Sequence, residues 1–150
     1  MEPEVQRLYF IQGAGGTGKS TGALWLKPSH NYSVVTKWIC VLLQRLPLKA
    51  ASHLIKGRTL HNLFKLGFNS SYGNQLKAPK LDELADDFKD NALTILDEHS
   101  MVGLERLSQI NSRLQQIGSG DQLLGGTNFM FLGDVQQLSP VLDLPLYEKV

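Results

Sequence analysis

The chain is short of several things, and each shortage narrows what it can be. It has one cysteine, Cys40, so it cannot form an internal disulfide, and a reducing compartment is expected. Its longest uninterrupted apolar run is Trp38-Ile39-Cys40-Val41-Leu42-Leu43, far too short to span a bilayer. The opening Met1-Glu2-Pro3-Glu4 lacks the basic and apolar regions of a secretory signal, which again points to an intracellular protein. No charge of one sign dominates: fifteen Lys and Arg against fourteen Asp and Glu leave a formal net charge of +1. The global basic bias of many nucleic-acid binders is therefore missing, and any such contact has to be local. There is no internal repeat or low-complexity tract. No arginine-rich stretch follows residue 36 to serve as the lid of a small phosphotransferase. With 150 residues, 42% of them hydrophobic and 19% charged, the expectation is one globular domain spanning 1–150.

What is present is organised around Gly13-Ala14-Gly15-Gly16-Thr17-Gly18-Lys19-Ser20, which fits the phosphate-binding pattern G-x-x-x-x-G-K-[ST]. The apolar run Leu8-Tyr9-Phe10-Ile11 before it reads as a short buried strand, and Thr21 to Leu26 after it reads as a helix. In that setting the glycines let the backbone approach a polyphosphate, so that successive N–H groups and the positive helix end face the anion. Lys19 would place a mobile charge on the terminal phosphates, and the Ser20 hydroxyl would bind a magnesium ion bridging them. Gly13 to Thr21 is thus the expected phosphate cradle for ATP.

Further along, Tyr32–Thr36 reads as a strand, and residues 37–46 read as a possible helix stopped by Pro47, with little polar interruption. A polar loop is expected at 69–74. Leu81, Leu84, Ala85 and Phe88 give a short amphipathic helix opened by Pro79, with its acidic residues in solvent. Ala92–Leu96 is a buried strand ending in Asp97-Glu98. Leu104, Leu107, Ile110, Leu114 and Ile117 mark a helix that stops at Gly118-Ser119-Gly120. Asn128–Leu132 is a last strand, running into Gly133-Asp134. Strand and helix alternate, so the fold class is α/β around a mostly parallel sheet, where ligands sit at the carboxyl ends of the strands. A carboxylate at a strand end beside a P-loop can hold the metal, and its neighbour can orient and deprotonate the attacking water. Asp97 takes the first role and Glu98 the second.

Three segments together resemble the Pif/RecD-like branch of superfamily-one DNA helicases. The P-loop is similar to that family's first motif, Ile95-Leu96-Asp97-Glu98-His99-Ser100-Met101 to its D-E-x-S-M motif, and Leu132-Gly133-Asp134-Val135-Gln136-Gln137-Leu138-Ser139-Pro140-Val141 to its G-D-x-x-Q-L-x-P-V motif. Arg58-Thr59-Leu60-His61-Asn62-Leu63-Phe64 is similar to its G-x-T-x-H-x-F segment. The resemblance covers most of residues 8–141. It implies a RecA-like P-loop NTPase lobe whose Gly133-Asp134 strand lies between the P-loop strand and the Asp97-Glu98 strand. It implies Gln137 as the sensor of the γ-phosphate, catalytic with Lys19 and Glu98, and Thr59 and His61 as contacts to single-stranded DNA. It further implies an ATP-dependent helicase moving 5′ to 3′ in repair or recombination, inside the cell, in the nucleus or mitochondrion if that cell is eukaryotic. Two departures stand out. Residues between Thr36 and Ala50 read as an apolar insert where the family has a short DNA-touching segment, and no second lobe with its arginine fingers is present. The alternative to a motor lobe is therefore a remnant that binds nucleotide or single-stranded DNA without turnover. His99, where a small aliphatic residue is usual, is given no role.

Overall fold

A computed structural model of the chain describes residues 5–19, 37–42 (backbone only), 58–67, 75–134, 136, 140 and 143–146. Five strands, β1 (Leu8–Gln12), β2 (Lys37–Leu42), β3 (Arg58–Thr59), β4 (Asn91–Leu96) and β5 (Phe129–Gly133), form one sheet in the order β1-β5-β4-β2-β3. Every pairing is parallel, with Leu8 beside Phe129, Thr94 beside Phe129 and Cys40 beside Ile95. Among the described residues three helices accompany it: α1 (Leu60–Leu63), α2 (Lys80–Phe88) and α3 (Leu104–Ile117). The α/β class and the parallel sheet are as read from the sequence, and β5 does lie between the P-loop strand and the Asp97-Glu98 strand.

Alternation along the inner strands divides the core in two, because successive side chains of a strand point to opposite faces. Leu96, Phe129 and Phe131 face α1, α2 and α3, packing with Leu60, Leu63, Phe64, Leu84, Ile110 and Leu114. Ile95, Met130 and Leu132 form the cluster on the other face, with Leu93 against it. Phe129 to Gly133 is buried throughout, which is why its sequence is an unbroken apolar run rather than an alternating one.

Three expectations change. Residues 37–42 form a strand, not part of a helix, and that strand sits inside the sheet between β4 and β3; the rest of the expected insert, 43–49, lies outside the described residues. Lys37-Trp38-Ile39-Cys40-Val41-Leu42 is rich in aromatic and β-branched residues, which suit a strand with neighbours on both sides. Leu8–Ile11 is a strand as expected but not a buried one. With β5 as its one partner among the described strands it is an edge there, and Phe10 is 59% exposed. Of the α2 acids, Asp82, Glu83 and Asp86 are exposed as expected, but Asp87 is half-buried, and it and Glu83 are ion-paired to Arg58 and Lys65. The expected helix at 21–26, strand at 32–36 and loop at 69–74 lie outside the described residues.

α3 begins without a side-chain cap of its own, because Gly103 stands at the N-cap position. The missing cap comes from far along the chain. The Asp143 carboxylate accepts from Glu105 N at 3.1 Å and Arg106 N at 3.3 Å, and the Leu144 carbonyl accepts from Leu104 N at 2.9 Å. Three N–H groups of the first turn, which have no partner within the helix, are thereby satisfied. Asp143→Ala is expected to cost about 0.5–2 kcal/mol, read as a lower midpoint in urea unfolding, whereas Asp143→Asn retains most of the cap. Equal stability of Asp143→Ala and the parent would remove this assignment.

Candidate nucleotide-binding site

All described candidate groups stand at or just beyond the carboxyl ends of strands, and the sheet order brings three of those ends together. At the end of β1 the chain turns through Gly13 to Gly18. Gly16 and Gly18 have φ of +76° and +79°, the left-handed region that other residues enter only with strain. Thr17 tightens this turn: its N–H and its Oγ1–H both donate to the Ala14 carbonyl, at 3.4 and 2.8 Å. The Lys19 ammonium folds over the loop and donates to the carbonyls of Gly13 and, at 2.8 Å, of Ala14. The loop is tied to the next strand as well, since Gly13 N donates to Gly133 O at 3.2 Å.

β4 delivers Asp97, which is buried, and Glu98, which is half-buried. Glu98 has a left-handed backbone, φ 57° and ψ 43°, an arrangement that costs a non-glycine residue about 1–2 kcal/mol. Its N–H donates to the Asp97 Oδ1 at 3.0 Å, which fixes the turn. Strain of this kind persists where surrounding structure enforces it, and it gathers at functional sites. At the end of β5, buried Asp134 accepts from Gln136 N at 2.9 Å.

The convergence of these ends has an electrostatic consequence at Glu98. The Glu98 carboxyl is pushed above the ordinary range by burial first, then by the negative charges of Asp97 and Asp134, with Lys19 pulling the other way. Below the ordinary Glu pKa of 4.5 folded and unfolded chains bind this proton alike. As pH rises through the higher folded-state value, the folded chain carries a penalty that persists at neutral pH. Glu98→Gln is therefore expected to raise the thermal unfolding midpoint at pH 7, with the gain disappearing in acid. An unchanged or lowered midpoint at pH 7 would contradict that electrostatic picture.

The same accumulation of negative charge suits a divalent cation. Among the described residues no three His, Cys, Asp or Glu side chains are grouped to hold a metal by themselves. A magnesium ion that takes one or two carboxylates and completes its shell with phosphate and water fits such a site.

His99 is the feature that sequence reasoning passed over. It is 2% exposed, and among the described residues neither ring nitrogen has a hydrogen-bond partner. Its ring meets Phe10 and Phe131 edge-on, with centroids 6.1 and 6.2 Å away. A Cβ at Gly133 would lie 2.8 Å from its Cδ2, so the glycine of the Gly-Asp pair is required by close approach. Burial holds the imidazole pKa below its usual value, so the ring is a neutral wedge between β1, β5 and the Glu98 turn. Of the other expected site residues, Ser20, Thr21 and Gln137 lie outside the described residues. Thr59 and His61 sit at the end of β3, the opposite edge of the sheet from β1.

Comparison with known proteins agrees with this layout. The model of the family described as PIF1-like helicase matches residues 2–148. The ATP-dependent DNA helicase Pif1 of Psychrobacter sp. (strain PRwf-1) is 29% identical over 94 residues, covering 61% of this chain and 14% of that protein. Among solved structures, Pif1 from Bacteroides in complex with ADP-AlF3 and single-stranded DNA superposes with a TM-score of 0.69 at 28% identity, over 93% of this chain and 31% of that one. Pif1 from Bacteroides sp. with ADP-AlF4 gives 0.67 at 26% identity, over 91% and 30%. The chain thus spans about a third or less of the relatives it matches, and within that span its parallel sheet is the RecA-like α/β fold. Because the family match contains the P-loop, the Asp97-Glu98 turn and the Gly133-Asp134 strand end together, this chain belongs to the PIF1-like helicase family.

Proposed function

We propose that residues 1–150 form part of the first RecA-like lobe of an ATP-dependent DNA helicase, carrying its first three motifs. In this reading Gly13 to Thr21 bind the phosphates of ATP, Ser20 and Asp97 hold magnesium, and Glu98 positions and deprotonates the water. Gln137 senses the γ-phosphate. Thr59 and His61 touch single-stranded DNA, along which the complete motor moves 5′ to 3′ in repair or recombination. Such work belongs inside the cell, in the nucleus or mitochondrion if the cell is eukaryotic. Magnesium would supply charge neutralisation between the phosphates, and the rest falls to the chain's own groups.

One observation carries the reading: Lys19, Asp134 and the Asp97-Glu98 pair follow three adjacent parallel strands, β1, β5 and β4, with Gly13 N donating to Gly133 O between two of those ends. A cation that can reach phosphate, a metal-competent carboxylate and a second carboxylate with raised proton affinity are what hydrolysis of a phosphoanhydride needs. The relatives' complexes, with nucleotide analogue in one and single-stranded DNA as well in the other, agree with the proposed ligands.

The test is equilibrium titration of the purified chain with a fluorescent ATP analogue, with magnesium and then with EDTA. Saturable one-to-one binding that weakens at least tenfold on chelation is expected, since the metal offsets both the phosphates and the carboxylates. Absence of binding at millimolar nucleotide would end the proposal.

A further inference from the structure

The segment read as a DNA contact is flanked by two cations, Arg58 and Lys65, and neither faces solvent alone. Arg58 Nη1 donates to Asp87 Oδ2, while its Nε and Nη2 donate to Asn62 Oδ1 at 3.3 and 3.2 Å. Lys65 Nζ lies 2.8 Å from Glu83 Oε2, presented from a left-handed turn (φ 53°) after α1. Both carboxylates belong to α2. They stand at i and i+4, about one helical turn apart, so they project from the same face and meet the two cations at once. Between those cations, Thr59 Oγ1 caps α1 by accepting from Asn62 N at 3.3 Å. His61 has its pKa lowered, by burial first and by Arg106 second, so it brings no charge near neutral pH. Among the described residues of this segment, Arg58 and Lys65 are thus the charges it can offer a phosphate, and both are taken.

We propose that α2 is a built-in competitor for single-stranded DNA, with Glu83 and Asp87 standing where strand phosphates would pair with Lys65 and Arg58. The proposal rests on the reading of Thr59 and His61 as a strand contact. Partly exposed ion pairs of this kind are weak, so α2 acts as a brake that a strand displaces, not as a lock. It also changes how binding responds to salt. A phosphate that replaces a carboxylate frees that carboxylate to take up a cation, which offsets the counterion released from the DNA. Binding through a braked segment therefore depends little on salt.

The experiment measures binding of an oligothymidine to the 150-residue chain by anisotropy at several salt concentrations, using the parent, Glu83→Gln/Asp87→Asn, and Asp82→Asn/Asp90→Asn. The last pair lies on and just after α2, is exposed, and makes the same change in net charge. Glu83→Gln/Asp87→Asn should bind about 2- to 30-fold tighter at low salt. Its plot of log affinity against log salt should be steeper by about 0.7 for each released cation. The Asp82/Asp90 control should change little. Equal gains in the two variants, or no gain in the first, would overturn the brake. Thr59→Ala/His61→Ala separates this failure from the underlying one. If that variant weakens binding while removal of the acids has no effect, the strand contact stands without the brake. If it leaves binding unchanged, the strand contact fails and the brake fails with it.

Discussion

Replacing Lys19 by Ala should lower affinity for magnesium-ATP about ten- to a hundredfold. A hydrogen bond from a charged donor contributes about 1.5–3 kcal/mol, and each 1.4 kcal/mol is tenfold in binding. The structure says where within that range to look. The ammonium is already bonded to the carbonyls of Gly13 and Ala14, so reaching a phosphate means exchanging two neutral acceptors for anionic ones. What counts is the difference between those acceptors, and that difference places the effect toward the lower end. The variant should fold normally, since Lys19 is only partly buried and its two bonds are local to the loop. Titration of both proteins with the fluorescent nucleotide, after matching their unfolding curves, checks this. Equal affinity would mean that the loop does not bind phosphate through Lys19.

The phosphate cradle and the carboxylate turn were legible because their chemistry is local in sequence: eight consecutive residues make the first, and two at a strand end make the second. β5 was legible as a strand for a different reason. A strand buried on both faces writes itself as an apolar run, and Phe129-Met130-Phe131-Leu132 is four such residues in a row. The same property misled at residues 37–42. An unbroken apolar run has neither the period of a strand nor that of a helix, and Pro47 downstream suggested the end of a helix. Burial of β1 was misjudged because an apolar strand says nothing of how many neighbours it has.

What stayed hidden depends on distant partners. Nothing near Gly103 hints that Asp143 caps α3, and nothing near Arg58 or Lys65 hints that α2 neutralises them. The left-handed backbone of Glu98 was equally invisible, since glutamate does not advertise that conformation. His99 was visible as a departure from its family's pattern, but its wedge between β1 and β5 required the sheet order.

The 150-residue chain by itself should bind ATP yet turn it over slowly, below about 10⁻² s⁻¹ even with single-stranded DNA present, and should not separate strands. The charge that builds on the γ-phosphate is ordinarily met by an arginine finger, whose contribution is about 10³- to 10⁵-fold in rate. The chain contains five arginines, Arg7, Arg45, Arg58, Arg106 and Arg113. Arg7 precedes β1 and so lies at the amino end of a strand whose carboxyl end holds the loop, about 16 Å away at strand rise. Arg58 is in β3, four strands from β1 and so about 19 Å across the sheet, and it is paired with Asp87. Arg106 bonds to Gln109 and the Gly67 carbonyl, and Arg113 is buried on α3 beside Gln116. Arg45 lies outside the described residues and matches no finger motif of the family. Without a finger, Lys19 and the carboxylates position the reactants and leave the developing charge unmet. Unwinding fails for a separate reason, since translocation needs two lobes that close on nucleotide and reopen after hydrolysis. A single-turnover ATPase assay with and without single-stranded DNA, beside strand displacement on a tailed duplex, decides the matter. Turnover at about 1 s⁻¹ or more, an ordinary enzyme rate, would show that this chain supplies its own charge stabilisation. Strand separation by the purified chain would show that one lobe suffices.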